Sequence, residues 1–139
     1  MLRRQSAAIP YRVASSGELE VLLVTSRRRK RWVLPKGNLH RWMLAHTSAA
    51  TEAFEEAGVL GEIERLPIAS YTQVKRTAAG LAEIHIDAYP LRVNTVLRAW
   101  PERDIRQRRW MKVSDAIEAV NDTALRSALT TFISAPSSI

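Results

Sequence analysis

Glu52, Glu55 and Glu56 fall at i, i+3 and i+4 within a run of strong helix formers, Ala45 to Ala57. On an α-helix these positions lie within about 100° of one face. Three carboxylates on one stripe repel one another unless a hard cation gathers them, and carboxylate oxygens are the ligands that magnesium or manganese prefers. The plain alternative is an acidic helix face that is simply solvated. Basic residues supply the complementary chemistry. Arg27 to Arg31 are consecutive cations, with Arg12 before them and Lys36 after, and guanidinium groups grip phosphate oxygens two at a time.

These side chains need elements to hold them. Thr47 or Ser48 is placed to cap the N-terminus of the acidic helix, and Gly58 to end it in the left-handed conformation. Ala7 to Val13 and Glu18 to Thr25 are rich in Val, Leu and Ile and are separated by Ser15-Ser16-Gly17, which reads as a hairpin. Trp32-Val33-Leu34 is a brief strand stopped by Pro35 and Gly37. Strand-like pieces follow around Ile63 and from Ile68 to Val74. After a turn at Ala78-Ala79-Gly80, Ala82, Ile84, Ile86 and Ala88 alternate with polar residues, the period-two pattern of a strand with one polar face. Arg108 to Val113 reads as a last strand. Ser114 is placed to cap a helix over Asp115 to Val120, and Leu125, Leu129, Phe132 and Ile133 mark a final helix over Asp122 to Ser134. Strands and helices mix without a βαβ rhythm, which predicts an α+β fold with a mixed sheet.

The chain of 139 residues is one domain by length, 1–139, and shows no repeat or linker. Its 21 Lys and Arg against 14 Asp and Glu give a net charge of +7. That charge points to an anionic partner without choosing among polyphosphate metabolites, nucleic acid and lipid. Absence of cysteine excludes disulfides, thiolate zinc sites and a cysteine nucleophile, and fits a cytoplasmic protein. No apolar run approaches the roughly 20 residues of a membrane span, so no membrane partner is expected. His40, His46 and His85 lack zinc-like spacing and read as ordinary packing histidines. Trp32, Trp42, Trp100 and Trp110 read first as packing residues, with base stacking as the rarer use. Glu83 and Asp87 offer a further carboxylate from outside the helix. Neither a Walker-type phosphate loop nor a G-x-S-x-G elbow is present.

From Gly37 the chain runs Gly-Asn-Leu-His-Arg-Trp-Met43, then seven residues, then Thr51-Glu-Ala-Phe-Glu-Glu-Ala-Gly-Val59. This resembles the Nudix hydrolase signature, G-x5-E-x7-R-E-U-x-E-E-x-G-U with U a bulky aliphatic residue. Met43 stands where the family has Glu, Thr51 where it has Arg, and Ala53 is a small version of the aliphatic. Ile9 to Arg12, Glu20 to Arg27, Trp32 to Gly37 and Trp100-Pro-Glu followed by Arg109-Trp110 are similar to the subgroup of diphosphoinositol polyphosphate phosphohydrolases. The resemblance implies an α/β/α sandwich around a mixed sheet. It also implies metal-dependent hydrolysis of a phosphoanhydride in a highly phosphorylated small molecule, such as a diphosphoinositol or dinucleoside polyphosphate. Magnesium or manganese would be held by Glu52, Glu55, Glu56 and the Gly37 carbonyl. Glu52, Glu55 and Glu56 are the catalytic set, with the base not singled out, and Arg12, Ser26, Arg27 and Lys36 match substrate-contacting positions. The substituted positions 43 and 51 lose opposite charges, leaving no orphan. They also motivate an alternative, a Nudix-fold protein that binds nucleotide or inositol polyphosphate without efficient turnover. A homodimer is compatible with the family, and nucleic acid is a lesser partner resting on charge and tryptophans alone.

Overall fold

The computed structural model describes residues 2–135. Alternation along the first strand, β1 (Leu2–Val13), sets the layers. Ala7, Ile9 and Tyr11 face one hydrophobic cluster and Ala8 the other. β1 pairs antiparallel with β2 (Leu19–Thr25) and with β4 (Lys36–Asn38), and parallel with β7 (Gly80–Val96). β3 (Trp32–Val33) and β8 (Arg108–Lys112) add to β2, whereas β5 (Val59–Ile63) and β6 (Ala69–Thr77) add to β7. The sheet is therefore mixed, with β3-β2-β1-β7-β5 as its central path.

Helices cover both faces. On one face, α2 (Val113–Ala119) and α3 (Thr123–Ser134) bring Val113, Ala116, Leu125, Leu129 and Phe132 against Ile9, Leu23 and Ile86. Asp122 caps α3 by accepting from the backbone of Ala124 and Leu125. On the other face lies α1 (Ala45–Glu52), continued by a π-helical turn over Ala53–Ala57. Its buried Ala49, Ala53 and Ala57 recur every fourth residue and pack with Ala8, Leu22, Val24, Tyr89 and Leu91. Side chains this small bring the helix backbone, and hence its carboxylates, close to the sheet. The expected α+β sandwich with helices on both sides of a mixed sheet is what the chain forms.

Several local expectations change. Lys36-Gly37-Asn38, expected to end a strand, pairs with β1 as β4 through Ser6↔Gly37. The acidic helix starts at Ala45 with Leu44 at its cap position and no side-chain cap; Thr47 and Ser48 lie inside the first turn, and the Ser48 hydroxyl accepts from the His40 backbone N–H at 2.7 Å. Its last five residues widen into the π turn. Likewise α2 begins at Val113 with no side-chain cap, so Ser114 is inside it. β7 continues past Tyr89 to Val96, and its Pro90 carbonyl accepts from Glu64 N–H. Ile133 is 48% exposed rather than in the core.

Candidate active site

Two anchors fix the acidic helix. At its C-terminal end Gly58 adopts the left-handed conformation, φ +66°, and the helix-end carbonyls are taken by side chains from elsewhere. Trp100 Nε1 donates to the Glu56 carbonyl at 3.0 Å, and Arg108 Nη1 donates to the Ala57 carbonyl at 2.9 Å. Arg108 also lies 3.9 Å from the Trp100 ring centroid, a cation–π contact that makes the pair one clamp. At the N-terminal end the Ser48–His40 bond ties the preceding loop to α1. The carboxylates are held between these anchors.

Glu52 and Glu56 are buried, 8% and 5% exposed. A Cβ at position 37 would run into the Glu52 carboxylate, so only glycine lets the β4 backbone come this close to it. His40 Nε2 lies 2.6 Å from Glu52 Oε2. Ligand atoms of His40, Glu52 and Glu55 all lie within 4.8 Å of one another. Two oxygens and one nitrogen at such spacing fit a single divalent cation. Glu56 stands beside this trio and is held differently. Its Oε2 is 3.6 Å from Arg106 Nη2, with both side chains 7% exposed, and its Oε1 accepts from the Lys36 backbone N–H at 3.4 Å. Arg106 also pairs with Glu102 at 2.9 Å and donates to the Thr25 carbonyl at 2.9 Å. Burial pushes the Glu56 carboxyl up to about 8, with Arg106 pulling it down and Glu52 adding to the rise.

The candidate residues divide by position. Gly37, Glu52, Glu55 and Glu56 come together. Lys36 adjoins them through its backbone; its ammonium, with pKa lowered by burial, reaches Gln5 Oε1 at 3.2 Å. Ser26 closes the β2–β3 loop, its Oγ accepting from Arg31 N–H at 3.0 Å, next to the Thr25 carbonyl that Arg106 grips. Arg27 is exposed in that loop. Arg12 is separate. It is ion-paired to Glu20 at 2.8 Å and stacked on Trp110 at 4.1 Å, six residues along β1 from the partner of Gly37, or about 20 Å. Asp87 accepts from Ser70 Oγ at 2.6 Å and is not among the converging ligand atoms. A recess of about 530 Å3 lined by Tyr11, Glu62, Glu64 and Arg92 contains none of Glu52, Glu55 and Glu56.

His40 and Arg106 are the residues that sequence reasoning passed over. Met43 and Thr51, the two departures from the signature, face each other, with Thr51 Oγ1 in contact with Met43 Sδ at 3.6 Å. The Thr51 hydroxyl donates its one proton to the Thr47 carbonyl at 3.0 Å. A weak neutral contact thus joins the positions where the signature has opposite charges.

No protein-family model matches the chain. Among curated proteins it is 33% identical over 134 residues to Nudix hydrolase 21, chloroplastic, of Arabidopsis thaliana, covering 94% of this chain and 66% of that one. It is also 33% identical over 121 residues to diphosphoinositol polyphosphate phosphohydrolase 3-beta of Bos taurus, covering 85% and 69%. The chain spans about two thirds of the length of these relatives. A C. elegans Ap4A hydrolase in a binary complex shares the fold, with TM-score 0.71, 20% identity and coverage of 94% and 95%. Identity at this level over most of the chain, together with that fold and the acidic helix at its centre, makes the chain a member of the Nudix hydrolase family.

Proposed function

We propose that the protein is a metal-dependent pyrophosphohydrolase acting on a densely phosphorylated small molecule, with a diphosphoinositol or dinucleoside polyphosphate as the substrate class. The observation that carries this reading is the convergence of Glu52, Glu55 and His40 ligand atoms beside the Gly37 backbone, on a helix clamped at both ends. Magnesium or manganese, when bound by Glu52, Glu55 and Glu56 with the Gly37 carbonyl, would neutralise phosphate charge and favour attack by water. The chain's own groups do the rest. The Trp100–Arg108 clamp and the Ser48–His40 bond fix the carboxylates before substrate arrives, so little reorganisation is needed on binding. Glu52 takes the proton from water, or sits beside the carboxylate that does. Arg106 balances Glu56, so the buried cluster carries less net charge. Ser26, Arg27 and Lys36 are assigned to the substrate phosphates, with Arg12 reaching the distal part of an extended substrate. The +7 charge draws such an anion in.

A cytoplasmic location rests on the cysteine-free composition; among the described residues no helix is long and apolar enough to cross a membrane. The neutral Met43–Thr51 contact favours a second reading, a protein that binds polyphosphate with little turnover. Phosphate and pyrophosphate release from diphosphoinositol polyphosphate, diadenosine polyphosphates, nucleoside diphosphate sugars and nucleoside triphosphates, in magnesium and then manganese, decides between them. Turnover by the natural protein supports hydrolysis. Silence broken only by the Met43→Glu/Thr51→Arg variant supports binding.

A further inference from the structure

His40 is the only histidine side chain whose ligand atom joins the carboxylate cluster among the described residues. Its position is built rather than incidental. The backbone N–H is held by Ser48 Oγ, whose residue is fully buried, and the His40 carbonyl accepts from Met43 N–H at 3.2 Å. The first bond fixes the loop on the first turn of α1, one helical turn before Glu52, and the second closes the loop on itself. The ring therefore meets Glu52 as a consequence of the backbone path. Met43 and Thr51 bring no charge to that carboxylate, which leaves the imidazole as its close side-chain partner on the loop side.

In an octahedral site with arms of about 2.1 Å, neighbouring ligand atoms sit about 3 Å apart and opposite ones about 4.2 Å apart. The 2.6 Å separation of His40 Nε2 and Glu52 Oε2 has to open by only a few tenths of an ångström to become a neighbouring pair. The full trio already lies inside the 4.8 Å span. Imidazole nitrogen suits first-row transition metals such as iron, nickel and zinc, with manganese the weakest binder of that series, whereas magnesium keeps to oxygen ligands and water. A site with one nitrogen and the remaining ligands oxygen is thus biased away from magnesium.

We propose that His40 is a metal ligand of this site and that its imidazole makes the protein prefer a transition-metal dication over magnesium, with paramagnetic manganese as the probe. The proposal rests on the reading of the carboxylates as metal ligands. It is tested on the chelator-treated full chain by calorimetric titration with manganese chloride and magnesium chloride, and by electron spin echo modulation of the manganese-loaded protein, for the natural sequence, His40→Gln and Glu52→Gln. The natural protein is expected to show imidazole nitrogen modulation that His40→Gln lacks. In His40→Gln the manganese affinity should fall about tenfold or more, and magnesium affinity should stay within about threefold. Absence of nitrogen modulation in the natural protein overturns the proposal, as do equal losses for the two metals, which would make His40 a group that only orients Glu52. If Glu52→Gln binds manganese as tightly as the natural protein, the carboxylate site itself is refuted. Loss in Glu52→Gln but not in His40→Gln refutes this proposal alone. Should His40→Gln fail to fold, the spectrum of the natural protein still decides.

Discussion

Glu56 and Arg106 form a pair in which each side chain is 7% exposed, and burial pushes the Glu56 carboxyl up to about 8 from an ordinary 4.5. A carboxyl raised in the folded chain holds a proton that the unfolded chain has released. Its contribution to stability is therefore full below 4.5 and is lost as pH rises through 8. In chelator, the Tm of Glu56→Gln should gain on that of the natural protein as pH goes from 5 to 8, and a constant difference would contradict this account. Above pH 8, where Glu56 is ionised, Arg106→Leu should cost about 3 kcal/mol in denaturant unfolding, the low end for breaking a buried pair, because Glu56 then escapes by taking up a proton. A cost below 1 kcal/mol would show that Arg106 does not hold Glu56. The carboxylates were legible from their spacing. His40 and Arg106 were not, because a single histidine in a loop and one arginine in a basic stretch carry no periodic signal, and their partners lie 12 and 50 residues away in sequence.

The acidic helix owes its position to both ends. Its start near Ala45 and its left-handed terminus at Gly58 were expected, but the cap was not Thr47 or Ser48: Leu44 takes that position, and Ser48, inside the first turn, is engaged with His40. The widening at Ala53–Ala57 was invisible to a helix-propensity reading. It accompanies Trp100 and Arg108 taking the terminal carbonyls, and those contacts come from residues some 40 to 50 positions later in the chain. Two glycines separate backbone from packing effects. Gly17 has φ +87° and open space around it, whereas at Gly58 a Cβ would strike Trp100 and Arg108. Gly17→Ala should cost about 1 kcal/mol, the penalty of the left-handed conformation alone. Gly58→Ala should cost about 3 kcal/mol, because the clamp must also shift. Equal losses in urea unfolding would mean that the clamp does not press on the helix end.

Across the whole molecule, period-two strands without a βαβ rhythm indicated a mixed sheet, and the structure has one. The parallel β1–β7 pairing that organises it joins residues some 80 positions apart, and no local pattern announces it. The +7 charge was legible from composition, but only the fold places Arg27 and its neighbours at the end of β2, next to the strand position that Arg106 links to Glu56. If this field captures substrate, kcat/KM should fall several-fold between about 0.05 and 0.5 M salt while kcat stays near constant. A flat profile would remove charge from the account of substrate capture. The most direct test of the central claim is phosphate and pyrophosphate release from a diphosphoinositol or diadenosine polyphosphate by the natural protein, Glu52→Gln and Glu56→Gln, in magnesium, in manganese and in chelator. The account predicts turnover that chelator abolishes and that each substitution lowers about 100-fold or more. Turnover that survives both chelator and the two substitutions would contradict it.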